Sequence, residues 1–232
     1  MKRSYGQYCP LALAAELLCQ RWTILVVSRL IDGCTSFSAI QRGVPSISPS
    51  LLSARLKELE QAGLITRQRK GSNARYQLTQ CGADLEPIVM GLAVWGQHWG
   101  RDMEWEDLDP AFLAWSMHLR MDVQNMPAED LVLEFALSSP VSNLERFWLV
   151  KSGDNIEMCM KDPGLDSSLL VEADIRVFIE AWRGIRNLKD EISAGTIVVH
   201  GPRRLSREFP QWLMLSALAK YPRKHPGIER AC

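Results

Sequence analysis

Apolar positions in the first hundred residues recur at helical spacing, whereas in the second half they alternate or gather in short runs. Leu11, Ala14, Ala15 and Leu18 follow Tyr8-Cys9-Pro10, and proline suits a first helical position, so a helix opening at Pro10 is expected. A second is expected from Arg21 through Trp22, Leu25, Val26, Leu30 and Ile31, closed by Asp32-Gly33. Phe37 and Ile40 mark the buried side of a short helix over 36–42, broken by Gly43-Val44-Pro45. Ser48-Pro49 then places a hydroxyl at a cap and proline just inside it, with Leu52, Leu56 and Leu59 as a core stripe and Gly63 as the stop. Residues 64–68 and 76–78 read as strands around a Gly71-Ser72-Asn73 tip, and Thr79 caps a long helix over 80–100.

Beyond an acidic stretch at 101–109 and Pro110, the pattern predicts a helix over 111–122. Short strands follow at 131–137, 147–150, 155–160 and 169–173, separated by turn signals, a spacing that indicates an antiparallel meander. Helices at 174–183 and 188–193, a strand at 196–200 and a helix over 203–219 complete an α+β domain. The chain thus reads as multidomain: a mainly α winged helix-turn-helix domain over 1–100, an acidic linker and connecting helix over 101–124, the α+β domain over 125–219, and a basic tail over 220–232.

Helix, turn, helix and basic hairpin in that order have separate roles in docking to a DNA groove, which gives the first half its meaning. Opposite the leucine stripe, Ser50, Ser53, Ala54 and Lys57 are left to enter a major groove, with Ser46, Ser48 and Arg55 beside them. The hairpin adds Arg67, Arg69, Lys70, Ser72, Asn73 and Arg75, enough positive charge to neutralise several phosphates. A solvated hairpin is the competing reading of such a charge run; the preceding helices favour DNA. Serine and alanine cannot form the bidentate base contacts that discriminate most, so weak base readout is expected.

The chain carries 27 basic and 27 acidic residues, but their distribution supports a division of labour. Residues 1–100 hold eleven Lys and Arg against six Asp and Glu, whereas 101–180 hold six against seventeen. The first stretch suits a polyanion and the second would be repelled by one. The six cysteines include no C-x-x-C and the four histidines no H-E-x-x-H, so no metal or cofactor is expected. No apolar run reaches the roughly 18 residues of a membrane span, and a cytoplasmic protein with no membrane partner is expected.

These features carry a resemblance. Tyr8-Cys9-Pro10, Arg21-Trp22, Phe37-Ser38-x-Ile40, Ile47-Ser48-x-x-x-Leu52, Leu56-Lys57-x-Leu59, Gly63-Leu64-Ile65, Tyr76-x-Leu78-Thr79 and Trp95-Gly96 resemble the HxlR family of winged-helix regulators, relatives of the MarR family. The resemblance implies a homodimer reading a roughly palindromic double-stranded DNA operator with half-sites about 34 Å apart, commonly as a repressor. It places the dimer contact on the helix over 80–100, through Leu85, Ile88, Val89, Leu92, Trp95 and Trp99; ordinary core packing is the alternative. It also makes Cys9 a candidate redox sensor, since some members of that family sense oxidants or electrophiles through a cysteine at this position. A thiol at a helix N-terminus ionises more readily, and a small buried hydrophobe is the competing reading; the sequence leaves both open.

A second resemblance covers about 125–219. Phe147-Trp148-Leu149-Val150, Asp162-Pro163-Gly164, Val171-x-Ala173-Asp174, Gly195-x-Ile197-x-Val199-x-Gly201-Pro202 and Phe209-Pro210-x-Trp212-Leu213 look like the sterol carrier protein type two fold. The resemblance implies a cavity for a small hydrophobic ligand, with Phe135, Phe147, Trp148, Met158, Met160, Phe178, Trp182, Trp212 and Leu213 as candidate walls; packing is the competing role for each. Three functions are therefore in play: a dimeric regulator modulated by a hydrophobic ligand, a redox-responsive regulator acting through Cys9, and a ligand carrier or interaction protein with degenerate DNA binding. No nucleophile, base and orienting group assemble from the sequence, so an enzyme is not expected.

Overall fold

The structure is a computed structural model that describes residues 4–70, 73–141 and 143–224; at 69, 70, 73 and 143 only the backbone is described. The chain divides into two compact units, Met1–Leu92 and Ala93–Cys232.

In the first unit, α1 (Pro10–Leu18) opens at the expected proline but buries none of its residues, and Leu11 is 77% exposed. Helix α2 (Thr23–Ile31) starts two residues later than the sequence suggests, because Trp22 takes a left-handed conformation (φ 78°) with the Arg21 guanidinium 5.1 Å from its ring. Val26, Val27 and Leu30 of α2 enter the core. Ser36 caps α3 (Phe37–Arg42) by accepting from the Ala39 amide at 3.2 Å. Ile40 is buried as expected, whereas Phe37, at the first helical position of so short a helix, is only half-buried.

Ser48 caps α4 (Pro49–Gln61), accepting from the Leu51 amide at 3.3 Å, and Leu52, Leu56 and Leu59 are buried along one side. Two antiparallel strands follow, β1 (Ile65–Lys70) and β2 (Asn73–Leu78). They run further than expected: Asn73 is the last paired residue, opposite Lys70, rather than part of the tip. Ser36 bridges Arg75, and the Tyr76 amide donates to the Thr35 carbonyl at 2.7 Å, so the segment before α3 flanks β2.

The helix expected over 80–100 is two helices, α5 (Gln80–Ala83) and α6 (Glu86–Trp99). Pro87 explains the break, since proline lacks an amide proton and disfavours helical conformation in the residue before it. Thr79 caps α5, accepting from the Gly82 amide at 3.2 Å while its hydroxyl donates to the Gly63 carbonyl at 2.7 Å. Gly82 is required here by proximity: a Cβ on it would lie 2.1 Å from the Leu64 carbonyl oxygen.

The second unit begins inside α6 and places helices against one face of a five-stranded sheet. Helix α7 (Pro110–His118) is capped by Asp109, which accepts from the Ala111 and Phe112 amides. The sheet contains β3 (Leu131–Ser139), β4 (Asn143–Ser152), β5 (Asn155–Cys159), β6 (Leu169–Asp174) and β7 (Ile197–His200), in the order β5-β4-β3-β6-β7. Helices α8 (Ile175–Trp182) and α9 (Leu188–Ala194) lie between β6 and β7 in the chain, and α10 (Arg203–Trp212) follows β7.

This order corrects the expected meander. Only β3, β4 and β5 form one; β6 crosses to the other side of β3 and pairs with it in parallel, Phe135 opposite Val171. The connection over 160–168 is tied back to β3, where the Ser167 hydroxyl donates to Glu134 at 2.7 Å and the Ser168 amide to the Val132 carbonyl at 2.8 Å. Two helices are also shorter than expected, for one shared reason. Met121 bridges Leu213, the Asp122 amide donates to the Trp212 carbonyl, and the Met214 amide donates to the Arg120 carbonyl. That extended pairing ends α7 at His118 and α10 at Trp212. Residues 101–124 supply Leu108, Leu113, Ala114, Met117 and Met121 to the core of this unit.

Candidate nucleic-acid interface

The capped start and buried stripe of α4 decide which of its side chains face solvent. Ser46, Ser48, Ser50, Ser53, Ala54 and Lys57 are all exposed. From Ser46 onward, positions 50, 53, 54 and 57 fall at spacings of three and four, so they share the side opposite Leu52, Leu56 and Leu59. The Ser48 hydroxyl is partly committed: besides capping, it lies 3.2 Å from the Ser50 hydroxyl.

Arg55 is placed differently from its neighbours. It is half-buried, its Nε donates to the Arg21 carbonyl at 3.1 Å, and its Nη1 donates to Gln20 at 2.7 Å and pairs with Glu58. These bonds anchor α4 to the segment before α2, a tertiary role that the spacing of Arg55 did not signal. Lys57 is thus the exposed cation on the outward side of α4.

In the hairpin, Arg67 and Arg75 are exposed. Arg67 sits opposite Tyr76 with its guanidinium 5.9 Å from that ring, and Arg75 Nη1 donates to the Thr35 hydroxyl at 3.4 Å. Thr35 is a positioning residue that the sequence reading missed; its only signal was a hydroxyl one residue before the cap Ser36. The strand register carries Arg69, Lys70 and Asn73 to the end of the hairpin, with Arg69 opposite Ala74. Ser72 lies outside the described residues.

On α6, Ile88, Leu92, Trp95 and Trp99 are between 46% and 62% exposed, and Leu85 and Val89 are half-buried. The contrast with Gln97 is informative. This polar residue of α6 is 2% exposed, and its amide donates to the carbonyls of Arg183 and Tyr221. Its signal in the sequence was a lone amide in the run Trp95-Gly96-Gln97-His98-Trp99.

Cys9, the residue before α1, is exposed, and its side chain makes no capping bond. Cys34 is buried, and burial, reinforced by the Asp32 carboxylate, pushes its thiol above the usual range. Among the described residues no group of His, Cys, Asp and Glu could hold a metal ion, and no single helix is long and apolar enough to cross a membrane.

The candidate ligand walls in the second unit are mostly packed against one another. The Phe135 ring stacks on Phe147 at 4.7 Å and meets Phe178 and Phe209 at 5.7 and 6.2 Å; Phe209 contacts Trp212 at 6.4 Å. Trp182 and Leu213 join this core, and Met158 packs against it. Trp148 alternates with Phe147 and therefore belongs to the other face of the sheet, and Met160, just past β5, is exposed.

Comparison with known proteins bears on the N-terminal part of the chain. Residues 17–104 match the family described as HxlR-like helix-turn-helix. The chain is 34% identical over 112 residues to the uncharacterized HTH-type transcriptional regulator YvaP of Bacillus subtilis (strain 168), a match covering 47% of this chain and 96% of that protein. It is 35% identical over 91 residues to the HTH-type transcriptional regulator YodB of the same organism, covering 38% and 81%. Among solved structures, diamide-treated YodB from B. subtilis is similar at 34% identity, covering 39% of this chain and 93% of that one, with a TM-score of 0.34.

Proposed function

Since this chain belongs to the HxlR-like helix-turn-helix family, whose similar members are named as transcriptional regulators, we propose that it is a homodimeric DNA-binding regulator, acting as a repressor, whose second unit senses a small molecule. The observation that carries the DNA-binding part is the outward side of α4. Its serines and Lys57 are held at a solvent-facing surface by the Ser48 cap, the leucine stripe and the Arg55 anchor, next to a hairpin carrying Arg67 and Arg75. That pairing of a helix for the major groove with a basic hairpin for phosphate suits operator recognition. With short side chains on α4, sequence preference rests on few direct base contacts, and hairpin contacts and DNA shape supply the rest.

Selection from random-sequence DNA tests this. An enriched, roughly palindromic motif with half-sites about ten base pairs apart is the expected result. Salt-sensitive binding with no motif would instead identify a ligand carrier or interaction protein with degenerate DNA binding. A second reading, redox control, is favoured by the exposure of Cys9 beside α1. Titration of operator binding against diamide with the wild type and Cys9→Ala tests it; an identical response in both removes Cys9 from the mechanism.

A further inference from the structure

The interior of the second unit is filled by its rings, so a ligand of this unit needs another place, and a concavity of about 530 Å³ lies between α9, β7 and α10. A volume of that size is within the range of small-molecule sites. Its apolar surface comes from Ile192, Val198, Val199 and Pro210. Gly195 contributes backbone alone, with nothing within 4 Å of where its Cβ would stand, so the trough stays open at the end of α9.

The rim is cationic. Lys189 of α9 and Arg207 of α10 both line the trough, both are exposed, and neither has a carboxylate partner among the described residues. Arg207 and Gln211 also line an adjoining concavity with Arg203, Arg204 and Glu208. Of these arginines, Arg204 is committed to Glu129 and, at 3.6 Å, to Glu208, which leaves Arg207 as the cation common to both hollows. Residues 181–232, which supply every residue of the trough, hold ten basic side chains against four acidic ones, whereas 101–180 hold six against seventeen. Positive charge in the unit is thus concentrated in the stretch that forms the trough, and the rim attracts an anion there.

We propose that the trough between α9, β7 and α10 binds a small apolar monocarboxylate, its body on Ile192, Val198, Val199 and Pro210 and its carboxylate at the rim that carries Lys189 and Arg207. The inference rests on reading the second unit as the sensor and names its ligand class. The apolar wall gains by removing hydrocarbon from water, and the two cations offer charge-assisted hydrogen bonds to the one polar group that stays at the rim. A neutral alcohol of the same length satisfies only the first requirement, and a short anion only the second.

Calorimetric titration of the full-length protein with octanoate, octanol and acetate separates these terms. Octanoate is expected to bind at least tenfold more tightly than either other probe. The double variant Lys189→Glu with Arg207→Glu should weaken octanoate at least tenfold, and Ser193→Trp, at an exposed position lining the trough, should abolish binding by filling it; unchanged melting temperatures establish that both variants fold. Absence of octanoate binding, equal binding of octanol or acetate, or full affinity in both variants overturns the proposal. Operator affinity measured with and without octanoate then addresses the sensor reading separately: binding that leaves operator affinity unchanged sinks regulation by this ligand while the site stands.

Discussion

Arg183 donates from Nη2 to the side-chain oxygen of Gln97 at 2.6 Å, and Gln97 returns its amide to the Arg183 backbone carbonyl at 3.3 Å. This reciprocal pair joins the end of α8 to the last turn of α6. The segment after α10 closes over it: Gln97 also donates to the Tyr221 carbonyl, His98 Nδ1 donates to the Pro222 carbonyl at 2.6 Å, and Arg223 reaches the Gly100 carbonyl. Burial, with Arg223 nearby, lowers the Arg183 guanidinium below its ordinary range, so the amide oxygen of Gln97 is an acceptor that Arg183 cannot readily replace with water.

Gln97→Leu keeps the volume and removes both polar groups, leaving the Tyr221 carbonyl and part of a half-buried guanidinium unmatched. The expected loss is about 1–3 kcal/mol of stability in chemical denaturation. Gln97→Glu is expected to lose less, because it restores an acceptor and adds a charge opposite Arg183. Equal stability of all three proteins would show that the clasp is incidental.

Ser48→Ala tests the start of α4. Its hydroxyl occupies the Leu51 amide, and caps of this kind contribute about 0.5–2 kcal/mol. The variant should unfold at lower denaturant while keeping the denaturant slope. Operator affinity at saturating stability should fall only modestly, since Lys57, Ser50 and Ser53 remain; a loss as large as that of Lys57→Ala would move Ser48 from capping to direct contact.

What was legible in the sequence was local. The Ser48 and Thr79 caps, the Leu52-Leu56-Leu59 stripe and the start of α1 depend on neighbours within a turn, and each lies where the pattern put it. The break before α6 was also local, but the signal of Pro87 was outweighed by the apolar periodicity that continues past it. The parallel pairing of Phe135 with Val171 left no trace in either strand, since alternation is the same in both directions. The ends of α7 and α10 were set by Met121 meeting Leu213, and the commitment of Arg55 by Gln20 and Arg21, all partners distant in sequence. The aromatic walls expected of an internal pocket share the composition of a packed core; only ring distances tell the two apart.

Thiol chemistry should separate Cys9 from Cys34. Iodoacetamide is expected to label exposed Cys9 in the native protein and Cys34 only after denaturation. Because the folded state raises the Cys34 pKa, its contribution is full below the unfolded thiol pKa of about 8.5 and is lost as pH rises through the folded value, where the unfolded chain has already released its proton. Stability of the wild type should therefore fall more steeply above about pH 8.5 than that of Cys34→Val. Parallel stability profiles for the two proteins would rule this out.

Phosphate contact by the hairpin is read from salt dependence. Arg75→Ala or Arg67→Ala should weaken operator and random DNA alike, and each should reduce the slope of log affinity against log salt by about 0.9 per lost phosphate contact. Lys57→Ala should weaken the operator more than random DNA if it reaches a base edge. An Arg75 variant that lowers affinity with an unchanged slope would instead assign Arg75 to holding Thr35 and the hairpin.

The exposed side of α6 gives the test of assembly. Leu92 is 49% and Trp95 62% exposed, and side chains of this size on one helix form the kind of patch that another protein surface covers. A second copy is the partner proposed above, and a twofold contact repeats every substitution on both sides of the interface. Leu92→Arg therefore places two like charges into one apolar contact, at a position whose exposure spares the fold of the single chain. Sedimentation equilibrium should report a dimer for the wild type and a monomer for the variant with an unchanged circular dichroism spectrum. Loss of the dimer should cost operator affinity far more than affinity for a single half-site, because only the dimer holds two α4 helices one DNA turn apart. A variant that stays dimeric would move the interface away from Leu92.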